Sequence, residues 1–306
     1  MGVGKGPGRN HLNQLDAIFD GYEAVRDRLP AAGPGGACAP AATLADIADR
    51  YDVFLLDAFG VLNVGETAIS GAVDRVHDLR AAGKRVLVVS NAAGLPHEAL
   101  MAKYGAMGFG FASDDVITSR MALFDGLTLQ PQVGWAAMAT TGQGLEALSP
   151  ALLRDDPAAY DAAEGFLLIG SAKWTQSRQD MLEDSLRRAP RPVHVGNPDL
   201  AAPREIGPSR EPGYWAHRLA DRTEVVPVFH GKPYSGIYDL AFARLGGHPG
   251  RRAVMVGDSL HTDILGAQTA GIASALITGH GVLRGRDVRR AIDLSGIRPD
   301  HVIADP

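Results

Sequence analysis

The sequence predicts an α/β protein: a doubly wound, Rossmann-like parallel sheet carrying an inserted α+β segment. Three observations support this. Short unbroken apolar runs alternate with stretches of helical periodicity from Asp52 onward. Runs of that kind, bounded by turn residues, are typical of strands buried on both faces of a parallel sheet. The alternation breaks between about residues 123 and 226 and then resumes.

The N-terminal stretch reads as peripheral. Residues 1–10, rich in glycine and basic side chains, read as disordered. Gly2-Val3-Gly4-Lys5-Gly6 lacks the spacing of a phosphate loop, and no strand precedes it. Over 12–29, Leu15, Ile18, Phe19, Tyr22 and Val25 recur at helical spacing. Residues 30–41 form a Pro/Gly/Ala linker, so 1–40 reads as an arm and linker, and 43–50 reads as a short helix.

The α/β pattern then begins. Val53, Phe54, Leu55 and Leu56 form a buried strand ending at Asp57, and Gly60 permits a sharp turn beyond it. Ile69, Val73, Val76 and Leu79 mark a helix over 68–82 that closes at Gly83. A second strand over 85–89 ends at Ser90-Asn91, a helix covers 97–104, and Val116-Ile117 is a short third strand. This order predicts a parallel sheet with right-handed crossovers.

The middle holds a strand within 132–140, a stronger one over 165–170, and a helix over 175–188. A strand over 192–195 leads into Gly196-Asn197-Pro198-Asp199. Regular alternation resumes with a strand over 225–229 before His230-Gly231-Lys232-Pro233, then a helix over 234–245. The strand 253–256 runs into Gly257-Asp258-Ser259-Leu260-His261-Thr262-Asp263, 272–277 is another strand, and Val302-Ile303 reads as the final edge strand. The main domain is therefore expected over 41–122 plus 227–306, with 123–226 inserted as a separate domain.

Composition narrows the function. Hydrophobic residues at 45% and charged residues at 21% of 306 positions are ordinary for a globular chain. A net charge of -5 argues against a general nucleic-acid binder. Cys38 is the only cysteine, which excludes an internal disulfide and a cysteine-based metal site. No apolar run reaches the length of a membrane span, and no secretory apolar stretch opens the chain. These features lead to the expectation of a cytoplasmic protein without a membrane partner, as either monomer or homo-oligomer.

The polar groups collect at strand ends. Asp57, Ser90, Lys232 and the Asp258/Asp263 pair should all emerge on one edge of the sheet, where open α/β folds place ligands. Clustered carboxylates repel unless a cation neutralises them, and an oxygen-only donor set favours Mg²⁺. A hydroxyl and an ammonium beside them suit phosphate oxygens. Together these parts make a phosphoryl-transfer site.

Four ordered motifs resemble the haloacid dehalogenase (HAD) superfamily, class IIA, the branch of NagD-like and p-nitrophenyl phosphatase-like hydrolases. They are Asp57-x-x-Gly60-Val61-Leu62, Val89-Ser90-Asn91, Gly231-Lys232-Pro233 and Gly257-Asp258-Ser259-x-x-x-Asp263, with Asn197-Pro198-Asp199 similar to a cap motif of that branch. The resemblance runs from about Tyr51 to the C-terminus. It implies a Rossmann-like HAD core, a cap formed by the insertion, and Mg²⁺-dependent hydrolysis of a small phosphorylated metabolite. Asp57 would be the nucleophile that forms an aspartyl-phosphate, and Lys232 would neutralise its charge. Ser90 and Asn91 would bind or orient phosphate, with Asn197 and Asp199 facing substrate from the cap. Asp57, the backbone carbonyl of Phe59 and Asp258 would hold the metal, with Asp263 as ligand or anchor.

One position departs from that pattern. Phosphatases of the superfamily usually carry a second Asp two residues after the nucleophile, where this chain has Phe59. A positioned acid/base contributes about 10²–10⁴-fold, or roughly 3–5 kcal/mol of barrier. Hydrolysis should then favour aryl or acyl phosphates, which leave without a proton. The alternative reading is a weak or inactive HAD-like protein that binds a phosphorylated ligand; transfer to an acceptor other than water is a third. His97, His230 and His261 are candidate substitute bases, with solvated-loop or helix-capping roles as the default. Arg120 reads as a surface residue at a helix start, and Trp135, Trp174 and Trp215 read as core of the insertion.

Overall fold

A computed structural model describes residues 9–128, 133–202 and 208–306. Of the stretch expected to be disordered, residues 1–8 lie outside the described residues.

The larger sheet has seven strands, in the order Ala39–Thr43, His301–Asp305, Ala273–Ile277, Ala253–Gly257, Val53–Leu56, Arg85–Ser90 and Val116–Thr118. Every neighbouring pair is parallel. The chain winds outward from Val53–Leu56 in one direction and from Ala253–Gly257 in the other, so the switch point of the sheet lies between these two strands.

Side chains alternate between two cores. Phe54, Leu56, Val88 and Val256 pack on one face with Val76 and Leu79 of helix Ala72–Ala81. Leu55, Leu87, Val89 and Met255 pack on the other with Ile237 and Tyr238 of helix Ser235–Arg244. Burial on both faces explains why these strands read as unbroken apolar runs.

The second sheet has five parallel strands, in the order Val228–Phe229, Val193–Val195, Gly165–Leu168, Trp135–Met138 and Ala151–Leu152. Phe166, Leu168, Leu182, Leu186 and Trp215 fill one side of it, beneath helices Gln176–Arg188 and Pro212–Arg222. Trp135 and Leu167 fill the other side, together with Leu123 and Ala93. Trp135 and Trp215 are thus core, and Trp174 packs against it.

Three expectations need correction. The linker read over 30–41 runs into a strand, Ala39–Thr43, which pairs outside His301–Asp305 and makes Val302-Ile303 an interior strand. The signal is faint because the edge position leaves the strand half exposed and tolerates Pro40, which has no N–H to donate. The strand expected over 225–229 is only Val228–Phe229, and it joins the second sheet rather than the main one. Val226 is 85% exposed and Val228 is 49% exposed, unlike any strand buried on two faces. From Ile18 onward the N-terminal arm is not peripheral. Ile18, Phe19, Tyr22 and Leu29 pack against Leu260, Ile264 and Leu283 below the main sheet and against Leu200 of the insertion.

Candidate active site

Asp57 leaves the carboxyl end of Val53–Leu56 with its N–H donating to Val256 O at 2.9 Å. Leu56 is level with Val256 on one side and with Val88 on the other. Asp258 and Ser90, each two residues further along the chain, are therefore carried to the same edge.

Lys232 connects the cluster. Its Nζ lies 2.6 Å from Asp57 Oδ1 and 2.7 Å from Asp263 Oδ1. Lys232 is 1% exposed and Asp263 is fully buried. Burial works against the ammonium, but the charges of Asp263 and Asp57 outweigh it and hold Lys232 protonated. Asp263 also accepts the Ser259 N–H at 3.1 Å, which ties the π-helical turn Leu260–Ile264 to the strand end.

Asp57, Asp258 and Asp263 bring ligand oxygens within 4.8 Å of one another, as the one such cluster among the described residues. Burial, with the charges of Asp263 and Asp57, pushes the Asp258 carboxyl well above the usual carboxylate range. Burial also lifts Asp263 to about 6, against the opposing pull of Lys232. A divalent cation relieves this repulsion, and the donors are all oxygen, so the residues present fit Mg²⁺. Glycines shape the cradle. A Cβ on Gly281 would fall 1.7 Å from Asp258 Oδ2, and one on Gly60 would fall 2.6 Å from the same atom. Asp258 Oδ2 accepts the Val282 N–H at 2.8 Å. Phe59 is partly exposed at the position of the missing acid, and its backbone bridges to Asn63.

Asn91 joins the two sheets at the site. Its Oδ1 accepts the Lys232 N–H at 2.8 Å, and its Nδ2 donates to Lys232 O at 3.0 Å. The same Nδ2 donates to Asp199 Oδ1 at 2.8 Å. Asn197 Oδ1 in turn accepts the Asp199 N–H at 2.9 Å. Ser90 is 5% exposed, and its Oγ accepts the Ala92 N–H at 3.3 Å.

The other candidates have partners outside the carboxylate cluster. His97 bonds Ser113 at 2.9 Å. His230 bonds His194 at 3.0 Å, and burial pushes it down to about 4. His261 pairs with Glu23 and stacks on Tyr22, with ring centroids 5.0 Å apart. Arg120 is 6% exposed, contrary to a surface role. Its guanidinium donates to Ala93 O at 3.2 Å and to Gln143 O at 2.7 Å, so it clamps a loop of the insertion.

Two tyrosines near the site are not marked by any motif. Tyr22 is 4% exposed, and its hydroxyl accepts the Leu200 N–H at 3.3 Å. Burial, with the charge of Asp199, keeps that phenol protonated. Tyr104 is 1% exposed, and burial and the Asp57 charge act on it likewise. Their apolar spacing on helices gives them the appearance of plain core residues, and only their partners in space distinguish them.

Comparison with known proteins follows the same stretches. A haloacid dehalogenase-like hydrolase family matches residues 54–148, and a HAD-hydrolase-like family matches 229–305. A glycerol-3-phosphate phosphatase of Gallus gallus is 31% identical over 285 residues, covering 83% of this chain and 89% of that protein. A D-glycerol 3-phosphate phosphatase of Mycobacterium tuberculosis is 29% identical, over 76% of this chain and 64% of that protein. Among solved structures, a p-nitrophenyl phosphatase from Archaeoglobus fulgidus superposes with a TM-score of 0.71 at 23% identity, over 83% of this chain and 96% of that one. The glycerol phosphate phosphatase of Mycobacterium tuberculosis in complex with magnesium gives 0.69 at 25%, over 85% and 76%.

Proposed function

The chain belongs to the haloacid dehalogenase-like hydrolases, class IIA, and we propose that it is a Mg²⁺-dependent phosphatase of a small phosphorylated metabolite that works through a phosphoryl group carried on Asp57. The observation that carries this reading is Lys232, sealed between Asp57 and Asp263 at 2.6 and 2.7 Å. The relatives named for glycerol phosphate and nitrophenyl phosphate support a small monoester as substrate.

Each residue then has a task. Asp57 Oδ attacks phosphorus, and Lys232 holds that carboxylate in place. Ser90 Oγ and backbone N–H groups of the following loop take up phosphate oxygens. Asp57, Asp258 and the Phe59 carbonyl would hold Mg²⁺, with Asp263 anchoring Lys232. When bound, the ion supplies charge neutralisation for the phosphate oxygens. Residues 123–226 would act as a cap that covers the substrate and excludes water, a role supported by the Asn91–Asp199 bond between core and insertion.

The test is turnover of p-nitrophenyl phosphate and glycerol 3-phosphate with and without Mg²⁺, in wild type and Asp57→Asn. Mg²⁺-dependent release of phosphate that is lost in the variant supports the reading. A second reading, a protein that binds a phosphorylated ligand without turnover, is motivated by Phe59. Thermal stabilisation by such a ligand, without phosphate release, would favour it.

A further inference from the structure

We propose that Asp199, contributed by the insertion, is the acid/base that the Phe59 position lacks. The proposal rests on the phosphatase reading above and adds a residue to its chemistry.

The geometry supports it in three ways. The Asp199 backbone is pinned at both ends, its N–H by Asn197 Oδ1 at 2.9 Å and its carbonyl by the Gly213 N–H at 3.1 Å. A Cβ on Gly213 would fall 2.0 Å from Pro198 O, so the start of helix Pro212–Arg222 closes directly onto this turn. The carboxyl is thus held on a rigid support, as an acid/base requires. It is also tied to the reacting centre. Asn91 Nδ2 donates to Asp199 Oδ1 while Asn91 Oδ1 holds the Lys232 N–H, and Lys232 Nζ is on Asp57. Finally, the residue is half-buried rather than sealed in the core.

The surroundings favour a carboxyl that carries a proton. The groups around it are Asn91, Lys232 and Asp57 of the core, Glu211 of the insertion, and Tyr22 of the N-terminal helix. Burial raises Asp199 to about 7, opposed by the Asn91 hydrogen bond and by Lys232 and reinforced by Asp57 and Glu211. An acid matched to neutral pH is the condition for efficient proton transfer.

The steps balance. Asp57 Oδ bonds to phosphorus as the bond to the leaving oxygen breaks, and the Asp199 proton passes to that oxygen, releasing an alcohol. The Asp199 carboxylate then takes a proton from water as the water oxygen bonds to phosphorus. The bond from phosphorus to Asp57 breaks, releasing phosphate, and Asp57 and protonated Asp199 are restored.

The experiment compares kcat/KM of the full-length protein with Mg²⁺ across substituted phenyl phosphates and glycerol 3-phosphate, in wild type and Asp199→Asn. Asn is isosteric and keeps an oxygen for Asn91. The wild type is expected to show a shallow dependence on leaving-group pKa. In Asp199→Asn the dependence should steepen, with glycerol 3-phosphate falling about 10²–10⁴-fold and p-nitrophenyl phosphate falling less than about tenfold. A merely structural role would lower both alike. Equal slopes in the two proteins overturn the assignment and leave the phosphatase reading intact. A steep slope in the wild type overturns it without any variant. No turnover in the wild type on any substrate overturns both.

Discussion

The Lys232 ammonium lies 2.7 Å from Asp263 Oδ1, and both side chains are closed to solvent. A buried pair of this kind contributes little net stability while intact, but removing one partner strands the other charge, at a cost of about 3–5 kcal/mol. Lys232→Met is therefore expected to lose about that much in urea denaturation, together with at least about 10²-fold in phosphate release. Unchanged stability would mean that Asp263 is neutral in the native protein.

The carboxylates also set a pH dependence. Asp258 and Asp263 are raised in the folded state, so the native protein binds more protons than the unfolded chain between the two sets of pKa values. Stability of the metal-free protein should therefore fall as pH rises from about 4 toward and beyond the folded Asp263 value of about 6. Mg²⁺ neutralises the same charge, so its stabilising effect should grow over that window. Thermal melts with and without Mg²⁺ at a series of pH values check this. A Mg²⁺ effect independent of pH would place the ion away from these groups.

The glycine cradle gives a third prediction. Gly281 has φ +71, and a Cβ there would overlap Asp258. Gly281→Ala should displace that carboxylate at a cost of about 1–3 kcal/mol and weaken Mg²⁺ by roughly tenfold or more. Asp258→Asn should weaken it as well while keeping the fold. Titration calorimetry reads both, and unchanged affinity in Asp258→Asn would remove it from the metal site.

The Tyr22 hydroxyl links the N-terminal helix to Leu200, one residue beyond Asp199. Tyr22→Phe leaves the Leu200 N–H without that acceptor, which costs about 1–3 kcal/mol. Denaturation should show the loss, and wild-type stability in the variant would mean that the hydrogen bond carries no net energy.

Much of this was legible in the sequence because the strands around Asp57 are buried on both faces and so read as apolar runs with polar ends. The strand ends of Asp57, Ser90 and Asp258 follow from that register. What the sequence hid depends on contacts between distant segments. Ala39–Thr43 is half exposed and carries a proline, so its edge pairing leaves no periodic trace. Val228–Phe229 follows Val225 and Val226 in an apolar run that resembles a main-sheet strand, yet it pairs with Val193–Val195. Arg120 looks like a surface residue by type, and only the carbonyls of Ala93 and Gln143 explain its burial. The tie from Asn91 to Asp199 spans 108 positions, and no local pattern announces it.

Phosphoryl transfer is proposed to proceed through Asp57. The most direct measurement is rapid acid quench during turnover of p-nitrophenyl phosphate with Mg²⁺, followed by peptide mass mapping. One phosphoryl group on the peptide that contains Asp57, absent in Asp57→Asn together with turnover, is the expected result. Phosphate release at an unchanged rate in Asp57→Asn, with no phosphoryl group on that peptide in the wild type, would contradict it.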